Sequence, residues 1–329
     1  MTKRREWFAL AVVVGACEFE CDRLERWTNG FQRLATEDPI SIDEKTPPLV
    51  GGIIYTANGH LLEEMQKQNR IKSNQFPSHL IDDLKALDLM DVRFRFELGD
   101  AKRNNNFTTL SKTRLVDDPW GVLYPMNLRR HYPPEIFEHL SLYDMPFALK
   151  EPTLVWRGAT TGQSLPGEMT PRKQFVFGHF NFSDRIDVGF SSIEQGHHDA
   201  IPYMKKEVPW KDHLRFKYIM SLEGNDIASG LKWQLLSNSV VFMPKPTVDS
   251  WFLESTLIPY VHYVPVNANF SNLLDQLDWA DAHPYECETI AKVSTEYAIQ
   301  AYRTTILDPA PRRRVLKLVL GGGRLEKFY

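Results

Sequence analysis

The chain has 329 residues, enough for two domains of about 150 residues each. With 43% hydrophobic, 12% aromatic and 25% charged residues it can build a packed core, which excludes a disordered chain. A net charge of −3 offers nucleic acid no bulk attraction, and three cysteines (Cys17, Cys21, Cys287) cannot form a disulfide framework and suit a reducing compartment.

Residues 1–6 are basic and 7–17 form an apolar run ending in Gly15-Ala16-Cys17. That run is too short to span a membrane. It reads either as a buried first strand over 8–14 or as an export signal. Helical spacing follows over 61–68 and 78–90, with Leu80, Leu84 and Leu87 on one face. Residues 91–98 alternate Val92, Phe94, Phe96 and Leu98 with Asp91, Arg93, Arg95 and Glu97, which predicts a strand with one wet face. Prolines 125, 133, 134 and 146 break up 119–150. A short strand over 153–156 runs into Arg157-Gly158.

The second half alternates more regularly. Strands are expected over 216–222, 239–243 and 261–266, a loop over 223–230, a short helix over 231–238, and a largely helical stretch over 271–303. Alternating strands and helices predict an α/β domain with a parallel sheet, in which ligands bind where strands end. Arg312-Arg313-Arg314 and Gly321-Gly322-Gly323 mark a basic, frayed tail.

Several chemistries lack their motifs. There is no G-x-G-x-x-G after a strand, no Walker A lysine and no G-x-S-x-G elbow. Cys17-x-x-x-Cys21 has no second ligand pair, and His197-His198 lies in a polar loop, so no metal site is expected. The sequons at Asn106, Asn181 and Asn269 carry no weight without secretion.

Three segments combine glycine, hydroxyl and cation. Arg157-Gly158-Ala159-Thr160-Thr161-Gly162 follows a strand, where glycine admits a ligand to the backbone and hydroxyls donate to anions. Gly224-Asn225-Asp226-Ile227-Ala228-Ser229-Gly230-Leu231-Lys232 joins a strand to a helix, so Ser229, the helix start and Lys232 can hold negative charge. Arg172 and Arg185 stand in a polar linker. The bland alternative is an N-cap at Ser229 followed by a solvated Lys232.

Residues Asp212-His213-Leu214-Arg215-Phe216-Lys217-Tyr218, the glycine loop, Ser237-Asn238-Ser239-Val240-Val241-Phe242, Trp251 and Pro259-Tyr260-Val261-His262-Tyr263-Val264-Pro265-Val266 follow one another in order. That order resembles glycosyltransferase family 90 over roughly 91–303, most strongly from 153 to 300. The resemblance implies a GT-B architecture, two Rossmann-like domains facing across a cleft. Residues 1–150 would form an acceptor-side α/β domain, 151–305 the nucleotide-sugar-binding domain and 306–329 the tail. It further implies a UDP-sugar co-substrate of the glucose or xylose class, inversion at the anomeric carbon, no metal and no other cofactor.

The match to the family's eukaryotic pattern is incomplete. Their second loop reads Ser-x-Arg-Phe-Lys; Lys232 matches the lysine, but Gly230 stands where the arginine would be. Charge on the diphosphate then falls to Arg157 or Arg172, with Gly158, Thr160, Gly224, Asn225, Asp226 and Ser229 around it and Glu254 on the donor ribose. The wording looks more like bacterial members, so the expected acceptor is a glycan such as lipopolysaccharide or capsule. The expected place is the cytoplasm, with peripheral contact to the inner membrane; a working signal over 1–17 would mean export.

An inverting transferase needs a carboxylate base. In eukaryotic members an Asp precedes a Tyr-Pro pair by three residues. Here the pair is Tyr124-Pro125 and that position is Gly121. Asp118 is the first candidate, Asp117 the second and Asp100 the third; the plainer alternative is that Asp117-Asp118-Pro119 only starts a turn. Lys112 and Arg114 are candidates for binding acceptor or donor. Trp233, Trp251 and Tyr263 lie beside the expected site or in the core. The missing aspartate and arginine motivate one alternative, a catalytically silent nucleotide- or glycan-binding protein on the same fold; a protein O-glycosyltransferase is a further alternative.

Overall fold

A computed structural model describes residues 23–28, 54–67, 78–97, 100, 109–118, 121–126, 131–164 and 168–321. The expected first strand over 8–14, the signal alternative and the final glycines 322–323 lie outside them. The chain divides into two compact units. The first joins the described parts of 1–128 to Val248–Leu253 and 303–321; the second comprises the described parts of 129–247 with Glu254–Tyr302.

The first unit holds a four-stranded sheet of β1 (Ile54–Ala57), β2 (Phe94–Glu97), β3 (Thr109–Ser111) and β5 (Gly121–Leu123), in that order. β1 is antiparallel to β2, while β2, β3 and β5 run parallel. A separate ribbon pairs β4 (Thr113–Leu115) antiparallel with β10 (Val248–Ser250). Its helices are α1 (23–28), α2 (Gly59–Lys67), α3 (Ser78–Ala86) and α10 (Ala310–Leu320). The core gathers Leu62, Leu80, Leu84, Phe94, Phe96 and Leu110, with Trp27 stacked on Trp251 at 3.7 Å.

Two expectations fail here. β2 has no wet face, because Arg95 and Glu97 are 9% and 7% exposed. It is an inner strand between β1 and β3, and both charged side chains have protein partners. Nor is the basic tail frayed over its described part. Val315, Leu316, Val319 and Leu320 recur at helical spacing and are buried in the first unit's core. Arg312 and Arg313 both reach the fully buried carboxylate of Asp83, which also accepts from Tyr124 Oη at 2.7 Å. Such a carboxylate is tolerable inside only with cations and donors around it.

The second unit is a five-stranded parallel sheet, in the order β11 (Val264–Pro265), β9 (Val240–Met243), β8 (Phe216–Met220), β6 (Glu151–Ala159), β7 (Ile186–Ser192). Helices α4 (Pro134–Tyr143), α5 (Pro171–His179), α6 (Trp210–His213), α7 (Leu231–Leu236), α8 (Leu273–Ala282) and α9 (Pro284–Tyr302) complete it. β7 occupies what reads in the sequence as part of a polar linker, and β11 is shorter than the strand expected over 261–266. The helix expected over 271–303 breaks at His283, because Pro284 disfavours helical backbone in the residue before it. Along β8, Tyr218 and Met220 enter the main core while Ile219 packs with Val155 and Trp233 on the other face.

Candidate functional site

Every strand of the second unit's sheet points the same way, so the loops after β6, β7 and β8 leave from one edge. In parallel sheets that edge is where ligands bind. Here side chains knit the three loops together. Thr160 Oγ1 donates to Glu194 O at 2.9 Å and accepts from Glu194 N at 2.7 Å. Gln195 accepts from Gly162 N at 3.2 Å and donates to Asn225 Oδ1 at 3.0 Å, while Gln163 donates to Asn225 O at 2.6 Å.

Arg172 locks the same edge from the first turn of α5. Its Nη1 donates to Thr161 Oγ1 at 2.9 Å and Ala159 O at 3.2 Å. Its Nη2 donates to Leu222 O at 2.9 Å and Nε to Glu223 O at 3.0 Å. The guanidinium lies 5.8 Å from the centre of the Trp156 ring. Gly224 fits beneath it without a side chain: a Cβ there would stand 3.0 Å from Arg172 Nη2 and 3.1 Å from Thr161 Oγ1. Arg172 is therefore a half-buried cation held in one place beside the glycine loop.

The other residues proposed for the donor divide into groups. Arg157 is taken up by the protein: Nε donates to Lys206 O, Nη1 to Trp156 O and Asp187 O, and Nη2 to both Asp187 oxygens at 2.9 Å. All five guanidinium N–H groups are thereby used. Burial works to raise the Asp187 carboxyl, but hydrogen bonds from Lys205 and Arg157 outweigh it and hold the group below the usual carboxylate range. Thr160 is fully buried in its loop contact. Gly158 accommodates the Trp156 ring, which a Cβ would meet at 2.8 Å. Asp226 is buried and accepts from Ile227 N at 2.7 Å.

Neither part of the plainer alternative for the second loop holds. The residue before α7 is Gly230, with no side-chain cap, so Ser229 does not cap the helix. Lys232 is buried, not solvated: its Nζ pairs with Glu254 Oε1 at 3.0 Å, the two side chains being 1% and 2% exposed. The ammonium lies 5.5 Å from the centre of the Tyr132 ring. The structure thus brings together Lys232 and Glu254, residues expected to contact different parts of the donor. Of the aromatics, Trp251 and Tyr263 are core residues, while Trp233 is partly exposed.

The three candidate bases all belong to the first unit. Asp118 follows β4, half-buried, its N–H donating to Leu115 O at 3.0 Å; Asp117 is exposed. Asp118 lies close enough to Arg114 for their charges to interact, and β10 sets Asp249 opposite Arg114 across the ribbon. Burial pushes the Arg114 guanidinium below its ordinary value, while Asp249 and Asp118 pull it up. Asp100 carries Lys112 Nζ on Oδ1 at 3.3 Å. Among the described residues no group of three or more His, Cys, Asp or Glu side chains could hold a metal ion. No described helix is long and apolar enough to cross a membrane.

Sequence reasoning missed Asp187, Gln163, Gln195, Tyr132 and Asp249. None sits in a glycine-rich motif. Only Gln163 gave a usable signal, by its place one residue after Gly162.

The second unit is thus of the parallel α/β class, with a fixed arginine, a glycine turn and hydroxyl and amide groups at the sheet edge where such proteins bind ligands. The model of glycosyl transferase family 90 matches residues 135–306, just over half of the chain. The chain is 32% identical over 234 residues to the O-glucosyltransferase LpsA of Dichelobacter nodosus, covering 70% of this chain and 68% of that protein. It is 33% identical over 118 residues to protein O-glucosyltransferase 2 of Danio rerio, covering 34% of this chain and 23% of that protein. A match to uncharacterized protein 027R of Frog virus 3 reaches 27% identity over 169 residues, or 44% of this chain and 17% of that one. The chain belongs to glycosyltransferase family 90, and its chemistry is glycosyl transfer.

Proposed function

We propose that the protein transfers a sugar of the glucose or xylose class from a UDP-sugar to a hydroxyl of a glycan such as lipopolysaccharide or capsule, with inversion and without a required metal. The observation that carries this reading is the place of Arg172 and Gly224. They lie inside the family-matched segment, at the edge where a parallel sheet binds ligands. Arg172 supplies fixed positive charge for a diphosphate, the part a metal plays in other transferases. The loop hydroxyls and amides suit a polyhydroxylated donor. The reading assigns the donor to the second unit and the acceptor to the first, the division of labour in a GT-B enzyme. Similarity to an O-glucosyltransferase over 70% of the chain supports glucose.

In a single displacement the acceptor hydroxyl attacks the anomeric carbon as UDP leaves, and a carboxylate takes its proton. Asp118 fits that part best. Asp100 already holds Lys112, and Asp117 is exposed to solvent whereas Asp118 is half-buried. Measuring UDP release from UDP-glucose and UDP-xylose, with lipopolysaccharide as acceptor and with or without chelator, tests the proposal. Turnover that survives the chelator supports it. UDP binding without turnover would make the chain a silent binding protein, and turnover only on a protein acceptor would move it toward its Danio rerio relative.

A further inference from the structure

Three buried serines of the second unit have hydrogen-bond partners for their hydroxyls. Ser237 Oγ donates to Gln234 O at 2.7 Å, Ser239 Oγ to Phe216 O at 2.7 Å and Ser294 Oγ to Ala291 O at 2.9 Å. Ser221, 4% exposed, has no partner for Oγ among the described residues. It directly follows β8, the middle strand of five, and its N–H still continues the ladder to Phe242 O at 2.8 Å. Strand alternation puts its side chain on the face of Ile219, the face covered by Trp233 of α7. One turn into that helix, Gln234 Oε1 is also buried without a partner. The two residues bracket the glycine loop. Its turn is fixed by Arg172 on the Leu222 and Glu223 carbonyls and by Gly224 N donating to Asp226 O at 2.9 Å.

A buried polar atom left unmatched is costly, and native folds keep few of them. Two such atoms beside one loop, at the ligand-binding edge of the sheet, are explained if a ligand completes them. We propose that Ser221 and Gln234 are donor-recognition residues that hydrogen-bond a sugar-ring hydroxyl of the bound nucleotide sugar, on the ribose or on the transferred sugar. The chemistry selects a hydroxyl over a phosphate. A carbonyl oxygen such as Gln234 Oε1 only accepts, and so do phosphate oxygens, whereas a sugar hydroxyl donates to Gln234 and can accept from Ser221. The inference rests on the UDP-sugar reading above.

Ser221→Ala and Gln234→Met remove these groups at nearly constant shape. Calorimetric titration of the full chain with uridine, UDP, UDP-glucose and UDP-xylose then reads the effect. Each variant should bind the nucleotide sugar about 2- to 12-fold more weakly. The melting temperature without ligand should hold or rise in Ser221→Ala, because no protein hydrogen bond is lost; a merely structural serine would lower it. A loss already present with uridine places the contact on the ribose, and a loss seen only with the nucleotide sugars places it on the transferred sugar. Either supports the inference. A loss that first appears with UDP would put the contact on the phosphates and overturn it. Unchanged affinity for the nucleotide sugars in both variants would do the same while leaving the donor reading intact. If the wild-type chain binds neither UDP-glucose nor UDP-xylose, the donor reading fails and takes this inference with it.

Discussion

The two units place their polar groups differently. The second is a purely parallel sheet whose strands are largely apolar, and its polar chemistry gathers at one edge, in the loops after β6, β7 and β8. The first mixes parallel and antiparallel pairs and carries charge within its strands: Arg95, Glu97, Arg114 and Asp249 are all buried. A parallel sheet covered by helices has no wet face on which to put polar residues, so its ends are where function concentrates. The first unit also carries Arg114 opposite Asp249 within its strand ribbon and Arg312 and Arg313 on the buried Asp83, and its candidate bases follow short strands. The family-matched residues 135–306 fall almost wholly in the second unit. On the function proposed above, donor binding falls to the second unit and acceptor choice to the first.

The sharpest test of that division is Asp118→Asn in the first unit. Transfer should fall by about 10²- to 10⁴-fold while UDP affinity stays near wild type, because the exchange deletes only basicity. Unaltered turnover in Asp118→Asn, together with loss in Asp117→Asn or Asp100→Asn, would move the base within the same unit. Normal rates in all three would separate the base from this region.

Lys232→Ala should disturb the second unit by a different route. It breaks the buried ion pair with Glu254 from one side, which costs about 3–5 kcal/mol of stability. Chemical denaturation should show the loss without any ligand present. A variant as stable as wild type but deficient in UDP binding would show that Lys232 serves the ligand and not the fold.

Acid should weaken both units through histidines held inside the fold. His79 in the first unit and His262 in the second are pushed down to about 4, in both cases chiefly by burial, with the charge of Arg312 adding to the effect at His79. His262 Nδ1 accepts from Ile258 N at 2.9 Å, a bond only the neutral ring can make. Between pH 6.5 and about 4 the unfolded imidazole binds a proton that the folded one refuses. Stability therefore declines as pH falls through that window and levels off below it, by at most about 3 kcal/mol per histidine. His79→Gln and His262→Gln should each flatten the dependence in denaturation series between pH 7 and 4; slopes identical to wild type would refute the assignment.

A smaller effect is expected at Gly224→Ala. The added methyl must push Arg172 or Thr161 aside by a few tenths of an ångström, at a cost of about 1–3 kcal/mol. If the loop turn and Arg172 matter to the donor, UDP affinity should fall more than stability does. The reverse result would make the glycine a folding requirement only.

The same contrast explains what could be read from the residues. The second unit was legible because its strands are near-continuous apolar runs separated by glycine loops; β6, β8, β9 and the helix α7 lie close to where periodicity sets them. The first unit was not, because strands of three or four residues such as β3, β4, β5 and β10 are too short to show a period. Its alternating β2 looks half-wet in sequence, yet both neighbours and the core enclose it.

By itself, the sequence determined the α/β class, the parallel sheet, the glycine loop and, through an ordered set of motifs, the family. Those depend on local pattern, which the chain carries residue by residue. Only the tertiary structure decided what each charge does. It gave Arg157 to Asp187, Lys232 to Glu254 and the tail arginines to Asp83, and tied Arg172 to the carbonyls of the loop edge. A cation's partner can lie anywhere from 22 to 229 residues away, as Lys232 and Arg312 show. Burial, which no spacing rule contains, fixes whether such a charge must be neutralised within the fold or can serve a ligand.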